Sequence, residues 1–361
     1  MTLEHISSDQ MGESLKNWYQ AIMEYDFENA AVLKNKVELS MPNFLDNKKI
    51  SSFYNLLLLR YGIMSENLKK GDIRPITIDA ENDLTIGFYF HFFSGQTYYQ
   101  HKNYSIAMRH YNLAESFLPS IQNFDEHAEF HYHLGQLFYK IVQYDTALYH
   151  LEKAKEIFKL KSVFKEKEVS CNLLLAAIAS EKGDLYKSDT IYLDALNIAK
   201  ENNFDWTSGL ILRGMAFNYN RLKEYTKAKK SLRDALEFNE FKDSNVGKKA
   251  KIELAHVLFK ENENLKKAES LLHEGWKHVE DQGDSEYIGK AKIIFNTYVD
   301  YDENEILSSM KRLLDSKYNF QVNELSMELV DIMKKRKDYD KASKYYEFAL
   351  DASSNIIKGE F

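Results

Sequence analysis

Two stretches of equal length, GQTYYQHKNYSIAMRHYNLAESFL (Gly95–Leu118) and GQLFYKIVQYDTALYHLEKAKEIF (Gly135–Phe158), carry the same pattern. In the first, Gly95 is followed by Tyr98, Tyr104, Ala107, Tyr111 and Ala114. In the second, the same offsets hold Gly135, Phe138, Tyr144, Ala147, Leu151 and Ala154. Small residues in two successive helical segments alternate with bulky ones. Close antiparallel packing requires this, because each bulky side chain must seat against a small one on the facing helix.

A third copy runs through Ala176, Ala179, Leu185, Ser188, Tyr192 and Ala195, and a fourth through Ala216, Tyr219, Tyr225, Ala228, Leu232 and Ala235. Later copies are looser. Leu265, Ala268 and Leu272 mark one, Val330, Tyr339, Ala342, Tyr346 and Ala349 another, and 285–320 fits a degenerate copy at best. The spacing resembles the tetratricopeptide repeat. That resemblance implies an all-α chain whose repeats stack into a right-handed solenoid with a concave, peptide-binding face built mainly from the first helix of each pair.

Composition agrees with long packed helices. The 361 residues are 44% hydrophobic, with 24 Tyr and 22 Phe but only three Pro. A net charge of -7 gives no overall basic field for a nucleic-acid backbone. The single cysteine, Cys171, excludes an internal disulfide framework and, among apolar neighbours, reads as buried filler rather than a nucleophile. The start, MTLEHISSDQ, lacks a basic and apolar leader, and no long uncharged apolar run follows, so a soluble cytoplasmic protein is expected.

Residues 1–70 hold no repeat. Leu15, Trp18, Tyr19 and Ile22 lie at helical spacing, as do Ala30, Leu33 and Val37 after the break at Asp26–Glu28. A third helix is expected from about Asp46 to Leu68, capped by Asp46 or Asn47, with Phe53, Leu56 and Leu57 turned to the core. The expected organisation is a three-helix bundle over 1–70, a connector over 71–86 marked by Gly71 and Pro75, and a repeat domain over 87–361. Eight basic residues against nine acidic ones in the first 70 argue against a DNA-reading head.

Asn17-Trp18-Tyr19, FYNLLLLRY (Phe53–Tyr61), the Phe88–Tyr99 segment and Ala128-Glu129-Phe130 together resemble the Rap family of Firmicutes, over essentially the whole chain. The family implies a bundle that binds a partner and a repeat groove that takes a short Phr-type signalling peptide, which draws the bundle onto the solenoid. Some members are response-regulator aspartyl-phosphate phosphatases. Others grip a transcription factor, and some of these are carried by mobile elements.

The phosphatase glutamine, six residues before the third-helix tyrosine, corresponds to Lys48, between Asn47 and Lys49; no Gln occurs between Gln20 and Gln96. An ammonium donates but cannot accept, so it cannot orient an attacking water as an amide does. The expectation is a protein with no catalytic residue, metal or cofactor, contacting its partner through Asn47, Lys48 and Lys49. The family's peptide-clamping Asp corresponds to Glu181 and its clamping Asn to Gly214, with Arg213, Asn218 and Asn220 as nearby substitutes. Repeat register places Tyr132, Gln136, Tyr139, Leu173, Glu181, Arg213, Phe217 and Asn220 on the concave face, although Leu173 and Phe217 equally suit interhelix packing.

Other motifs carry less. His127 and His131 share a helix face, but Ala128 stands where a zincin needs Glu. The basic run Arg221–Arg233 reads as a solvated outer face. The leading reading is a quorum-sensing regulator that binds and inhibits a transcription regulator, as antirepressor or activator sequestrant, without direct nucleic-acid or membrane contact; homodimerisation stays open. The alternatives are a phosphatase using Asn47 to position water, and a scaffold that senses no peptide. The measurement is loss of label from a phosphorylated receiver domain. No acceleration is expected from the chain itself, and a gain from Lys48→Gln wherever the receiver-docking surface has been kept.

Overall fold

The computed structural model describes residues 6–24, 26–64 and 84–358. Helix α1 (Ser8–Met23) starts with a capping box, in which Gln10 N–H donates to Ser7 Oγ at 3.3 Å and Ser7 N–H to Gln10 Oε1 at 2.7 Å. Helix α2 (Phe27–Ser40) is capped by Asp26. Helix α3 (Lys48–Met64) begins later than the sequence suggests, because the cap is Asn47, whose Oδ1 accepts from Ile50 N–H at 3.2 Å. The expected end of this helix beyond Met64 lies outside the described residues. So does the connector up to residue 83, while Leu84–Ile86 already open the next helix.

The described chain then forms α4 (Leu84–Gln100) with α5 (Tyr104–Phe117), α6 (Phe124–Lys140) with α7 (Tyr144–Phe158), α8 (Lys165–Glu181) with α9 (Leu185–Glu201), and α10 (Asp205–Arg221) with α11 (Tyr225–Ala235). A short α12 (Asn239–Asp243) precedes α13 (Asn245–Lys260) with α14 (Leu265–Asp281), α15 (Ser285–Tyr298) with α16 (Glu303–Asp315), and α17 (Asn319–Arg336) with α18 (Tyr339–Lys358). The fold is all-α among the described residues: a three-helix bundle followed by helix pairs of the tetratricopeptide type. Among them no helix is long and apolar enough to cross a membrane.

The anchors behave as their spacing requires. A Cβ at Gly95 would lie 2.7 Å from the Tyr111 ring, and one at Gly135 2.7 Å from Leu151 Cγ, so any side chain there would push the paired helix away. In the third pair, Ser188 is close enough to α8 that its hydroxyl donates to Ala176 O at 2.8 Å. The stretch 285–320, expected to be degenerate, is a regular pair. Its small positions are the buried Thr297 and Ser309, and a Cβ at Gly289 would meet Leu313 at 2.7 Å.

Two compact units divide the chain, 1–171 and 172–361, with the boundary inside α8. In the first, the bundle has no separate core. Trp18, Ile22, Leu56 and Leu57 belong to one buried cluster with Phe88, Phe92, Tyr111 and Phe130 of the first two repeat pairs. Tight turns within pairs pass through left-handed residues, including the β-branched Val142 at φ 60°. Val142→Asn is therefore expected to raise the melting temperature, and Gly135→Ala to lower it by a loss of about 1–3 kcal/mol. Thermal unfolding of the two variants checks both signs.

Candidate functional site

In the first unit, the bundle meets the repeats around one charged side chain. Arg60 of α3 is 1% exposed, and so is Glu129 of α6. Arg60 Nη2 lies 3.3 Å from Glu129 Oε2, Nη1 donates to Gln96 Oε1 of α4, and the guanidinium stands 5.2 Å from the Phe93 ring centroid. Lys167 Nζ approaches Glu129 Oε1 at 3.0 Å, and His133 Nε2 is 3.4 Å from Oε2. Burial works to raise the Glu129 carboxyl. Lys167, the His133 hydrogen bond and Arg60 together outweigh it and hold the group well below the usual carboxylate range.

Glu126, one helical turn away, is fully buried and neither oxygen has a hydrogen-bond partner. Burial, and then the Glu129 charge, push its carboxyl well above the usual range. Farther along α6, Tyr132, Gln136 and Tyr139 are half-buried; Gln136 Nε2 donates to Tyr132 Oη at 3.1 Å and Lys167 stands over the Tyr132 ring. His131 faces His150 with Nδ1 atoms 2.9 Å apart, while His127 bonds Ile121 O, so the two histidines do not share a ligand. Among the described residues no cluster could hold a metal ion. Cys171 is buried, and burial pushes its thiol up.

In the second unit, α10, α13, α15 and α17 line a cavity of about 340 Å³. Phe217 and Asn220 are in its wall. Arg213 is bidentate to Glu253, at 2.9 and 2.6 Å, and donates to Tyr287 Oη at 2.6 Å. Glu181 pairs with Arg221 at 3.3 Å, and Arg221 also reaches Glu324 at 3.0 Å. Lys223 meets Asp331 at 3.0 Å. Arg221 and Lys223 thus border the cavity, while Lys227 and Lys230 farther along the run are exposed, as expected of an outer face. Leu173 is half-buried on α8.

Gly214 stands where a Cβ would come within 2.6 Å of Tyr192 Oη, so no side chain fits. Asn218 is buried between the hydroxyls of Ser180 and Ser188. Asn220 accepts from Lys260 Nζ at 3.1 Å and keeps its amide N–H groups for the cavity.

The family model described as response regulator aspartate phosphatase H, N terminal, matches residues 5–66. Response regulator aspartate phosphatase I of Bacillus subtilis (strain 168) is 26% identical, over 99% of this chain and 94% of that protein. Over its whole length the chain is similar to proteins of the Rap family, and its N-terminal helices match that family's model. The solved Rap conjugation gene regulator of plasmid pLS20, in complex with the Phr* peptide, superposes with a TM-score of 0.73 at 23% identity, covering 98% of this chain and 97% of that one. A Rhodococcus hoagii protein named Type II methyltransferase M.CeqI is 28% identical over 97% of this chain and 69% of its own length. No two glycines here are separated by a single residue, as in a nucleotide-cradling glycine turn, so that name is not carried over.

Lys48 is exposed in the first turn of α3, beside Lys49 and the capping Asn47. Asn47 and Lys49 border a cleft of about 700 Å³ between α1, α3 and α4, floored by Tyr19, Phe53 and Tyr89. Sequence reasoning passed over Arg60, Glu253, Tyr287 and the α17 acids. Only the charge at Arg60, within an otherwise apolar helix, could have flagged one of them.

Glu126 supplies a pH test. With its carboxyl raised on folding, the folded state keeps a proton that the unfolded chain releases above the usual carboxylate range, so this residue's contribution to stability falls as pH rises from there. Glu126→Gln is expected to raise the melting temperature by about 2–4 °C near pH 7 and by little near pH 4. A gain equal at both pH values would contradict the buried acid.

Proposed function

We propose that this chain is a cytoplasmic, non-enzymatic regulator whose bundle binds and inhibits a transcription regulator, and whose repeat groove takes a short signalling peptide that ends that binding. The observation that carries the reading is Lys48, exposed on the first turn of α3, where the family resemblance sets the phosphatase glutamine. An ammonium there can attract a phosphoryl group or an acidic partner surface, but cannot orient water as base or acceptor. Asn47 is a poor replacement, because its oxygen is committed to the Ile50 N–H.

The peptide half of the reading is supported by the walled cavity in the second unit and by the Phr* complex of the pLS20 relative. Tyr132, Gln136 and Tyr139 from the first unit, with Leu173, Glu181, Arg213, Phe217 and Asn220 from the second, are the proposed contacts. Control is two-state: the bundle docks on the first repeats as described, or releases to expose its partner surface. A peptide can shift that balance only by its difference in affinity for the two forms. The family's phosphatases keep one rival reading in play, dephosphorylation of a receiver domain.

The test offers the purified chain a panel of labelled phosphorylated receiver domains and, separately, the DNA-binding regulators encoded near its gene. Unchanged label loss together with capture of a regulator is expected. Accelerated label loss would overturn the non-enzymatic reading.

A further inference from the structure

Four cationic side chains line the cavity of the second unit, and three of them are matched by its acids. Arg221 meets Glu324 at 3.0 Å, Lys223 meets Asp331 at 3.0 Å, and Lys260 meets Glu328 at 2.6 Å. Lys290 of α15 has no carboxylate within 4.0 Å among the described residues. Its ammonium instead stands 5.8 Å from the Phe217 ring centroid and 5.4 Å from that of Tyr287. Aromatic faces hold a cation in place without neutralising it. Lys290 also lines the small cleft of about 20 Å³ that adjoins the cavity, as do Phe217 and Asn220.

We propose that Lys290, assisted by the Asn220 amide, receives a carboxylate of the bound peptide, which makes this cavity selective for peptides that deliver a negative group beside an aromatic wall. The inference rests on the peptide reading above and adds the chemistry of its ligand. Three acids are already occupied by Arg221, Lys223 and Lys260, so a cationic ligand would have to displace an existing pair, whereas an anionic one completes the set. Asn220 contributes a donor on the same side, since its oxygen is held by Lys260. The carboxylate has two sources, the peptide C-terminus or an Asp or Glu side chain.

Randomised synthetic pentapeptide pools separate them: one with a free C-terminus and no Asp or Glu, one amidated with Asp and Glu allowed, and one amidated without them. Each is passed over the immobilised full chain and over Lys290→Met, whose folding is checked by circular dichroism. Retained peptides are measured by calorimetry. Retention of the first pool assigns the C-terminus and retention of the second assigns a side chain. In either case Lys290→Met is expected to weaken binding by about tenfold or more and to erase the preference for that pool. Equal retention of the third pool, or an unchanged preference in Lys290→Met, overturns the carboxylate inference while leaving the peptide reading standing. Retention of none of the pools overturns both.

Discussion

The buried pair between Arg60 and Glu129 constrains everything around it. Two opposite charges at 1% exposure lose their water, and their attraction offsets that loss only when the remaining donors and acceptors are also met. Gln96 and Lys167 supply part of this, Arg60 Nε has no partner, and the Phe92 and Phe93 rings lie beside the guanidinium. An apolar bundle face could settle on the repeats in several registers. A guanidinium 69 residues from its carboxylate is satisfied in one. The pair contributes less to net stability than to the choice of docked geometry, while removal of one partner costs about 3 kcal/mol or more.

That balance suits a switch. Docking buries Trp18, Leu56 and Leu57 with the repeat aromatics, yet it leaves polar atoms such as Trp18 Nε1 and Gln96 Nε2 without partners, in a unit that also buries the Glu126 carboxyl without a hydrogen bond. Unsatisfied groups of this kind lower the cost of letting go. In the second unit the cavity is bordered by pairs such as Lys223 with Asp331, both well exposed, which contribute little individually to stability. Its fixed features are elsewhere, in the Arg213, Glu253 and Tyr287 network, of which Arg213 and Glu253 line the small adjoining cleft.

Repeats were legible wherever a glycine or alanine marked a close approach, as at Gly95 and Gly135. The pair over 285–315 read as degenerate because Thr297 and Ser309 fill the small positions, and hydroxyl residues look polar beside small apolar ones. Repeat register found residues that line the cavity, Phe217 and Asn220, and charges beside it, Glu181 and Arg213. It could not show that Glu181 meets Arg221 and Arg213 meets Glu253, since those partners are about 40 residues away. Gly214 is explained only by the Tyr192 hydroxyl above it, a contact from the preceding repeat pair. Arg60 counted in the sequence as one more charge on a neutral head; its importance lies wholly in three-dimensional burial.

The most direct test of a docked and releasable bundle is a distance distribution by electron–electron double resonance, with spin labels on cysteines introduced at the exposed Asn35 of α2 and Glu152 of α7. The native Cys171 is buried and need not be removed. In the otherwise wild-type chain, a single short distance matching the docked unit is predicted. On Arg60→Met a second, longer population is predicted to appear. An unchanged single distribution in Arg60→Met would contradict the claim that this ion pair holds the bundle in place.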